Sequence, residues 1–178
     1  WPESIGEVWL TFVEKTGTDD QRERRVLFEG GLDVDFAIIP EKLALRVAKE
    51  RPPPQVSGIF RRGIRVIIDK DQLFGKYVLP PSSDNPLTRP STQPEFHETI
   101  NDFLYHAVWT AKKLRRGELW TAKACSDSYM KWLLLRMIEW HAKATHGWEY
   151  DTWHSGRFLE KWADPRVIEE LRDAFAHY

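Results

Sequence analysis

This 178-residue chain lacks most of what would mark it as secreted, membrane-bound or nucleic-acid-binding. It has a single cysteine, Cys125, which excludes an internal disulfide and fits a reducing, cytoplasmic setting. No signal peptide opens it, and no apolar run approaches the roughly 20 residues that a membrane-spanning helix needs. Its formal net charge is −1, so the basic footprint of a nucleic-acid-binding protein is missing. No internal repeat is visible. No methionine starts the chain, and its abrupt opening at Trp1-Pro2 reads as a fragment.

What is present is the composition of a globular protein, 30% charged and 42% hydrophobic, long enough for one sizeable domain or two small ones. Nine tryptophans and nine phenylalanines are unusual for this length. Trp120, Trp132, Trp140, Trp148, Trp153 and Trp162 crowd one region. Aromatics this dense build a large core or, less often, a wall for a planar ligand.

The N-terminal half is organised around Arg25-Val-Leu-Phe-Glu-Gly-Gly-Leu-Asp-Val-Asp-Phe-Ala-Ile-Ile-Pro40. It reads as strand Val26–Glu29, a Gly30-Gly31 turn and strand Leu32–Ile39, the glycines supplying positive φ. Alternation puts Leu32, Val34, Phe36 and Ile38 on one face and Asp33, Asp35 and Ala37 on the other. Two carboxylates on one strand face suit a metal, a cation or a proton transfer; a solvated acidic face is the plainer alternative.

Around the hairpin, Ser4–Val13 reads as a buried strand followed by a polar loop, Glu14–Arg24. Glu41–Glu50 reads as a short helix with Leu43, Ala44 and Val47 inward, stopped by Pro52-Pro53-Pro54. Arg65–Asp69 looks like one more buried strand, then a turn at Lys70-Asp71 and a segment Leu73–Leu79. Pro80–Pro94 carries five prolines and marks a linker. Beyond it, Thr92-Gln-Pro-Glu95 makes a capping box for a long helix with Ile100, Phe103, Leu104, Ala107, Val108, Ala111 and Leu114 as its apolar stripe. A second helix runs from Glu118 to about Lys143 around Met130, Leu133, Leu134, Met137 and Ile138. Asp127 and Lys131 are spaced as an i,i+4 pair on it, and Gly147 ends it. A short helix at Arg157–Trp162 and a last one, capped by Asp164 and burying Ile168, Leu171 and Phe175, close the chain.

Several spaced blocks in this order resemble the aminoglycoside 6-adenylyltransferase family, the streptomycin adenylyltransferases of the nucleotidyltransferase superfamily. They are Val26-Leu-Phe through Val-Asp35-Phe-Ala-Ile-Ile-Pro40, Val66-Ile-Ile-Asp69-Lys70-Asp71, Arg116-Gly-Glu118-Leu-Trp120, Leu134-Leu-Arg-Met-Ile-Glu-Trp140 and Arg157-Phe-Leu-Glu160. The resemblance implies an α+β chain: part of a nucleotidyltransferase mixed β-sheet domain at 1–80, a linker at 81–94, and an incomplete all-α helical bundle at 95–178. It implies transfer of AMP from ATP, with Mg²⁺, to a hydroxyl of an aminoglycoside such as streptomycin. Asp35 takes the place of the third catalytic carboxylate, as metal ligand or proton acceptor. Asp33 falls where a relative carries a basic residue and receives no role. The family's Gly-Ser…Asp-x-Asp element does not occur here and would lie before Trp1, so the chain as given is expected to lack activity.

In the helical half the resemblance points to Arg157 as a contact for nucleotide phosphates, and His154 nearby and Lys131 on the long helix are further candidates. Glu118, Asp127, Glu149 and Asp151, beside Trp148 and Trp153, suit a polycationic acceptor. One rival pattern stands beside these. Arg136 and His141 spell Arg-x4-His, similar to the ribonuclease motif of HEPN-type helical domains, except that Met137 stands where that motif is polar. A non-catalytic binding module is the third class.

Overall fold

In a computed structural model of the chain, residues 2–15, 22–49, 65–74 and 89–175 are described. They fall into two compact units, Trp1–Pro80 and Pro81–Tyr178. Together they make an α+β protein: an antiparallel sheet in the first unit and helices in the second.

The first unit opens with a 3₁₀ turn, Pro2–Ser4, and three strands follow: β1 (Val8–Lys15), β2 (Arg22–Phe28) and β3 (Asp33–Ile38), in sheet order β1-β2-β3. The described pairings are antiparallel, Arg25 opposing Phe12 on one side and Asp35 on the other. The hairpin between β2 and β3 turns through Glu29–Gly31, closed by a hydrogen bond from the Phe28 N–H to the Leu32 carbonyl at 2.8 Å. Gly30 and Gly31 both have positive φ, 78° and 81°, which a side chain would strain. The loop thus takes three residues where two were expected.

The core of this unit lies under the middle strand, where Val26 and Phe28 are buried. Val34 and Phe36 share their side of the sheet. β1 is not the buried strand expected of it. Among the described residues it pairs with β2 alone, and Trp9, Leu10, Phe12 and Val13 are exposed. Both strands also reach into the expected polar loop, where Arg25 holds Glu14 across the ladder and Glu23 along its own strand.

Helix α1 (Glu41–Lys49) follows Pro40 as expected, with Leu43 and Ala44 half-buried. The Val47 side chain, Pro52-Pro53-Pro54 and the segment 75–79 lie outside the described residues. Arg65–Asp69 is not a strand. Both carboxylate oxygens of Asp69 accept backbone N–H groups, from Leu73 and Phe74 at 2.8 Å each, and this local bonding folds the chain into a turn. Ile67 and Ile68 are left exposed.

The second unit begins with α2 (Gln93–Arg115), where the capping box forms in full. The Glu95 N–H donates to Thr92 Oγ1 at 3.3 Å, and the Thr92 N–H donates to Glu95 Oε2 at 2.8 Å. The next helical run is α3 (Leu119–Ala124), a π-turn at Cys125–Tyr129, and α4 (Met130–His146), with helical dihedrals kept at both junctions. Gly147, at φ 102°, ends it. Helix α5 (Leu159–Trp162) and α6 (Pro165–Ala174) complete the unit. Its core gathers Ile138, Ala142 and Trp162, with Leu134, Leu159, Val167 and Leu171 packed around them. The Trp162 indole donates to the Arg157 carbonyl at 2.9 Å. Phe175, expected to be buried by α6, is half exposed.

The α4 stripe behaves as expected, with Met130, Leu133 and Ile138 buried. The α2 stripe does so only in part. Leu104, Val108 and Leu114 are exposed, whereas Ile100 and Phe103 are half-buried, beside buried Thr99 and half-buried His106 and Thr110. Polar bonds select that face: Tyr129 donates to Asp102 at 2.6 Å, and Asp102 also holds His106 at 2.7 Å.

Candidate functional site

In the first unit, the chemistry-bearing residues stand on the sheet face opposite Val26 and Phe28. Asp35 lies across from Arg25 at a paired position of the ladder. Arg25 Nε is 2.6 Å from Glu14, 3.3 Å from Glu23 and 3.8 Å from Asp35. The field of Asp35, then that of Glu14, raises the pKa of Arg25, so the cation is permanent. Asp33 and Asp35 are exposed, in alternation with the half-buried Val34 and Phe36. The carboxylate of Asp35 is thus reachable by a ligand while its backbone is fixed in the sheet.

In the second unit, the π-turn decides the geometry. A π-turn adds a residue per turn and rotates the remainder of the helix about its axis, and such bulges recur at functional sites. Asp127, inside this one, pairs with Lys123 at 2.7 Å rather than with Lys131. The Lys123 hydrogen bond, against burial, lowers the pKa of Asp127 and keeps it ionised. Its other oxygen, Oδ1, is shielded from solvent and has no hydrogen-bond partner. Lys131 instead donates to the Ser126 carbonyl at 3.1 Å and lies 4.8 Å from the Phe175 ring centroid. Asp127 and Lys131 line one half-open cavity of about 310 Å³, walled by Trp132, Leu135, Leu159 and Phe175. Ser155 and Gly156 also line it.

Two further cavities flank the N-terminal part of α2 and share Glu95, Arg136 and Trp140. One, of about 310 Å³, adds Glu98, Thr99 and Asp102. The other, of about 220 Å³, adds Arg89, Glu139, Lys143 and Trp148.

Comparison with known proteins decides the family. A model of the streptomycin adenylyltransferases matches residues 3–178, nearly the whole chain. The chain belongs to the streptomycin adenylyltransferase family. It is 25% identical over 151 residues to the aminoglycoside 6-adenylyltransferase of Bacillus subtilis (strain 168), which covers 85% of this chain and 50% of that protein. To the enzyme of the same name from Staphylococcus aureus it is 26% identical over 112 residues, 63% of this chain and 39% of the relative. The chain therefore spans about half or less of the curated relatives it matches. A crystal structure of an aminoglycoside 6-adenyltransferase from Bacillus subtilis aligns with all of this chain and 64% of that one, at TM-score 0.47 and 20% identity.

For this streptomycin adenylyltransferase family member, the expected site residues scatter over the helical unit. Asp127 and Lys131 do share a cavity. His154 and Arg157 sit in the exposed turn that also carries Ser155 and Gly156. Trp148 lines the smallest of the three cavities, among cations. Glu118 is engaged by Lys113 at the start of α3. Glu149 is exposed, and Asp151 accepts the Trp153 N–H at 2.9 Å, a local turn bond. The acidic cluster expected of these residues is therefore not one cavity. Arg136 and His141, five residues apart on α4, lie about 140° apart around its axis. Arg136 lines the two cavities beside α2, and His141 is exposed. Sequence reasoning missed Trp140 and Arg136 as cavity residues. Their i,i+4 spacing on one helix was the available signal.

Proposed function

We propose that the protein acts in adenylyl transfer from Mg-ATP to a hydroxyl of an aminoglycoside such as streptomycin. The family match over residues 3–178 carries this reading. Asp35, accessible on the open sheet face, supports it as the proton acceptor. The acceptor hydroxyl oxygen attacks the α-phosphorus of ATP and forms the new O–P bond. The bond to the β-phosphate oxygen breaks, pyrophosphate leaves, and the hydroxyl proton passes to the Asp35 carboxylate.

The reaction class uses Mg²⁺ to neutralise phosphate charge. Asp33 and Asp35 share a face, but the described residues hold no group of three or more metal-donor side chains. They do not make a metal cage by themselves, and no step is routed through the ion. Asp127 is the acceptor-binding residue best supported by geometry. Asp127, kept ionised beside Lys123, lines a cavity with aromatic walls, which suits an ammonium or guanidinium of a polycation. Lys131 in the same cavity, with Arg157 and His154 in the adjoining turn, are the proposed contacts for the ATP phosphates. Because the chain as given is expected to be inactive without the family's Gly-Ser…Asp-x-Asp element, the test is to incubate a form that carries that element ahead of Trp1 with ATP, Mg²⁺ and streptomycin and follow the products by mass spectrometry. The expected product is streptomycin carrying one AMP, with one pyrophosphate released; formation of neither overturns the proposal.

A further inference from the structure

Helix α2 carries apolar side chains on two faces, and among the described residues only the inner one is packed. That face lies against α3, the π-turn and α4, with the His106 ring 4.6 Å from that of Tyr129 and Thr110 Oγ1 3.8 Å from the Met130 sulfur. On the outer face Leu104, Ala107, Val108, Ala111 and Leu114 are exposed, Leu104 by 57% and Val108 by 73%. Leu104, Val108 and Ala111 fall within about 60° of one another round the axis, at the i, i+4, i+7 spacing by which one helix docks along another. A helix apolar on both faces is normally covered on both, and the two alanines let a second backbone come close.

The charges beside this stripe select what fits it. Glu98 stands near the start of α2, and Lys112 and Arg116, one turn apart, stand at its end. All three lie on the same flank, about 80–120° round the axis from Leu104. They are exposed, and no ion pair or side-chain hydrogen bond engages them among the described residues. A second α2 laid parallel on the stripe would set Glu98 against Glu98 and the basic pair against itself. Laid antiparallel about a two-fold axis, it sets the Glu98 of each copy beside the Lys112 and Arg116 of the other. The axis that pairs these charges passes between Leu104 and Val108, the centre of the apolar stripe. Charge and apolar surface thus call for the same arrangement.

We propose that the outer face of α2 is a two-fold interface between two copies of this chain, with the helices antiparallel. One helix face buries less than the roughly 1,200 Å² of a standard interface, so the association is weak and depends on concentration. Dilute protein is monomeric, and there substitutions in the stripe leave unfolding as in wild type. The interface uses no residue of the proposed transfer site, so it does not depend on that reading.

The experiment is sedimentation equilibrium of the 178-residue chain over a wide range of concentration. Wild type is expected to pass from monomer to dimer and no further. Leu104→Glu, which sets a carboxylate in the seam, is expected to raise the dissociation constant at least about tenfold. Glu98→Lys is expected to weaken the dimer about threefold or more, and combining it with Lys112→Glu and Arg116→Glu to restore it. Trp9→Ser, on the exposed face of β1, is expected to associate as wild type does. A wild type monomeric at every concentration, a dimer indifferent to Leu104→Glu, or a charge-swapped triple variant weaker than Glu98→Lys would each overturn the proposal. A dimer broken by Trp9→Ser would also overturn it and place the interface on the sheet. So would a form carrying the Gly-Ser…Asp-x-Asp element that stays monomeric, which would give the stripe to a segment of its own chain.

Discussion

Glu95 accepts two hydrogen bonds from the guanidinium of Arg89, at 3.0 Å from Nη1 and 2.5 Å from Nη2, while it caps the first turn of α2 through Thr92. One carboxylate thus ties the segment before the helix to the helix itself. The Arg89 bonds, first, and those of Thr92 lower the pKa of Glu95 from 4.5 to about 2. Because the folded value is the depressed one, this contribution is present above the unfolded pKa and is lost as pH falls from about 4.5 through about 2. Unfolding of wild type and Glu95→Gln is expected to show a gap in midpoint at neutral pH that closes across that window. It is also expected to narrow with added salt, since the group is exposed. A gap that stays constant from pH 7 to pH 2 contradicts the assignment.

The two faces of the helical unit predict opposite sensitivities. Ile138 is 5% exposed in the core, so Ile138→Ala is expected to cost about 2–5 kcal/mol in denaturant unfolding. Val108 is 73% exposed on α2, and Val108→Asn is expected to stay within about 0.5 kcal/mol of wild type. Comparable losses at both positions would show that the apolar stripe of α2 is covered.

That stripe marks where the sequence stopped being legible. Spacing located α2, its Thr92–Glu95 box and the α4 core of Met130, Leu133 and Ile138, because caps and periodicity are local. It could not choose between the two faces of α2, because the choice rests on Tyr129 and Asp102, 27 positions apart. The same limit applied at Asp127. Its i,i+4 partners on either side, Lys123 and Lys131, are equivalent in sequence, and only the π-turn separates them. In the sheet, alternation correctly separated Asp33 and Asp35 from Val34 and Phe36, but apolar content alone did not show that β1 and Ile67-Ile68 are exposed. The family resemblance was readable because it rests on ordered blocks, whereas cavity walls such as Arg136 and Trp140 depend on neighbours distant in the chain.

Asp127 offers a kinetic prediction. If the Asp127 carboxylate receives a cationic group of the acceptor, Asp127→Asn raises the KM for streptomycin about tenfold and leaves kcat near wild type. A fall in kcat with KM unchanged would place Asp127 elsewhere in the reaction.

The transfer account rests most heavily on Asp35. The direct measurement is kcat for streptomycin adenylylation at saturating Mg-ATP in a form that carries the Gly-Ser…Asp-x-Asp element ahead of Trp1, comparing it with its Asp35→Asn variant and checking by circular dichroism that both are folded. Loss of a proton acceptor predicts a fall of about a hundredfold or more. A folded Asp35→Asn protein turning over at the wild-type rate would contradict it.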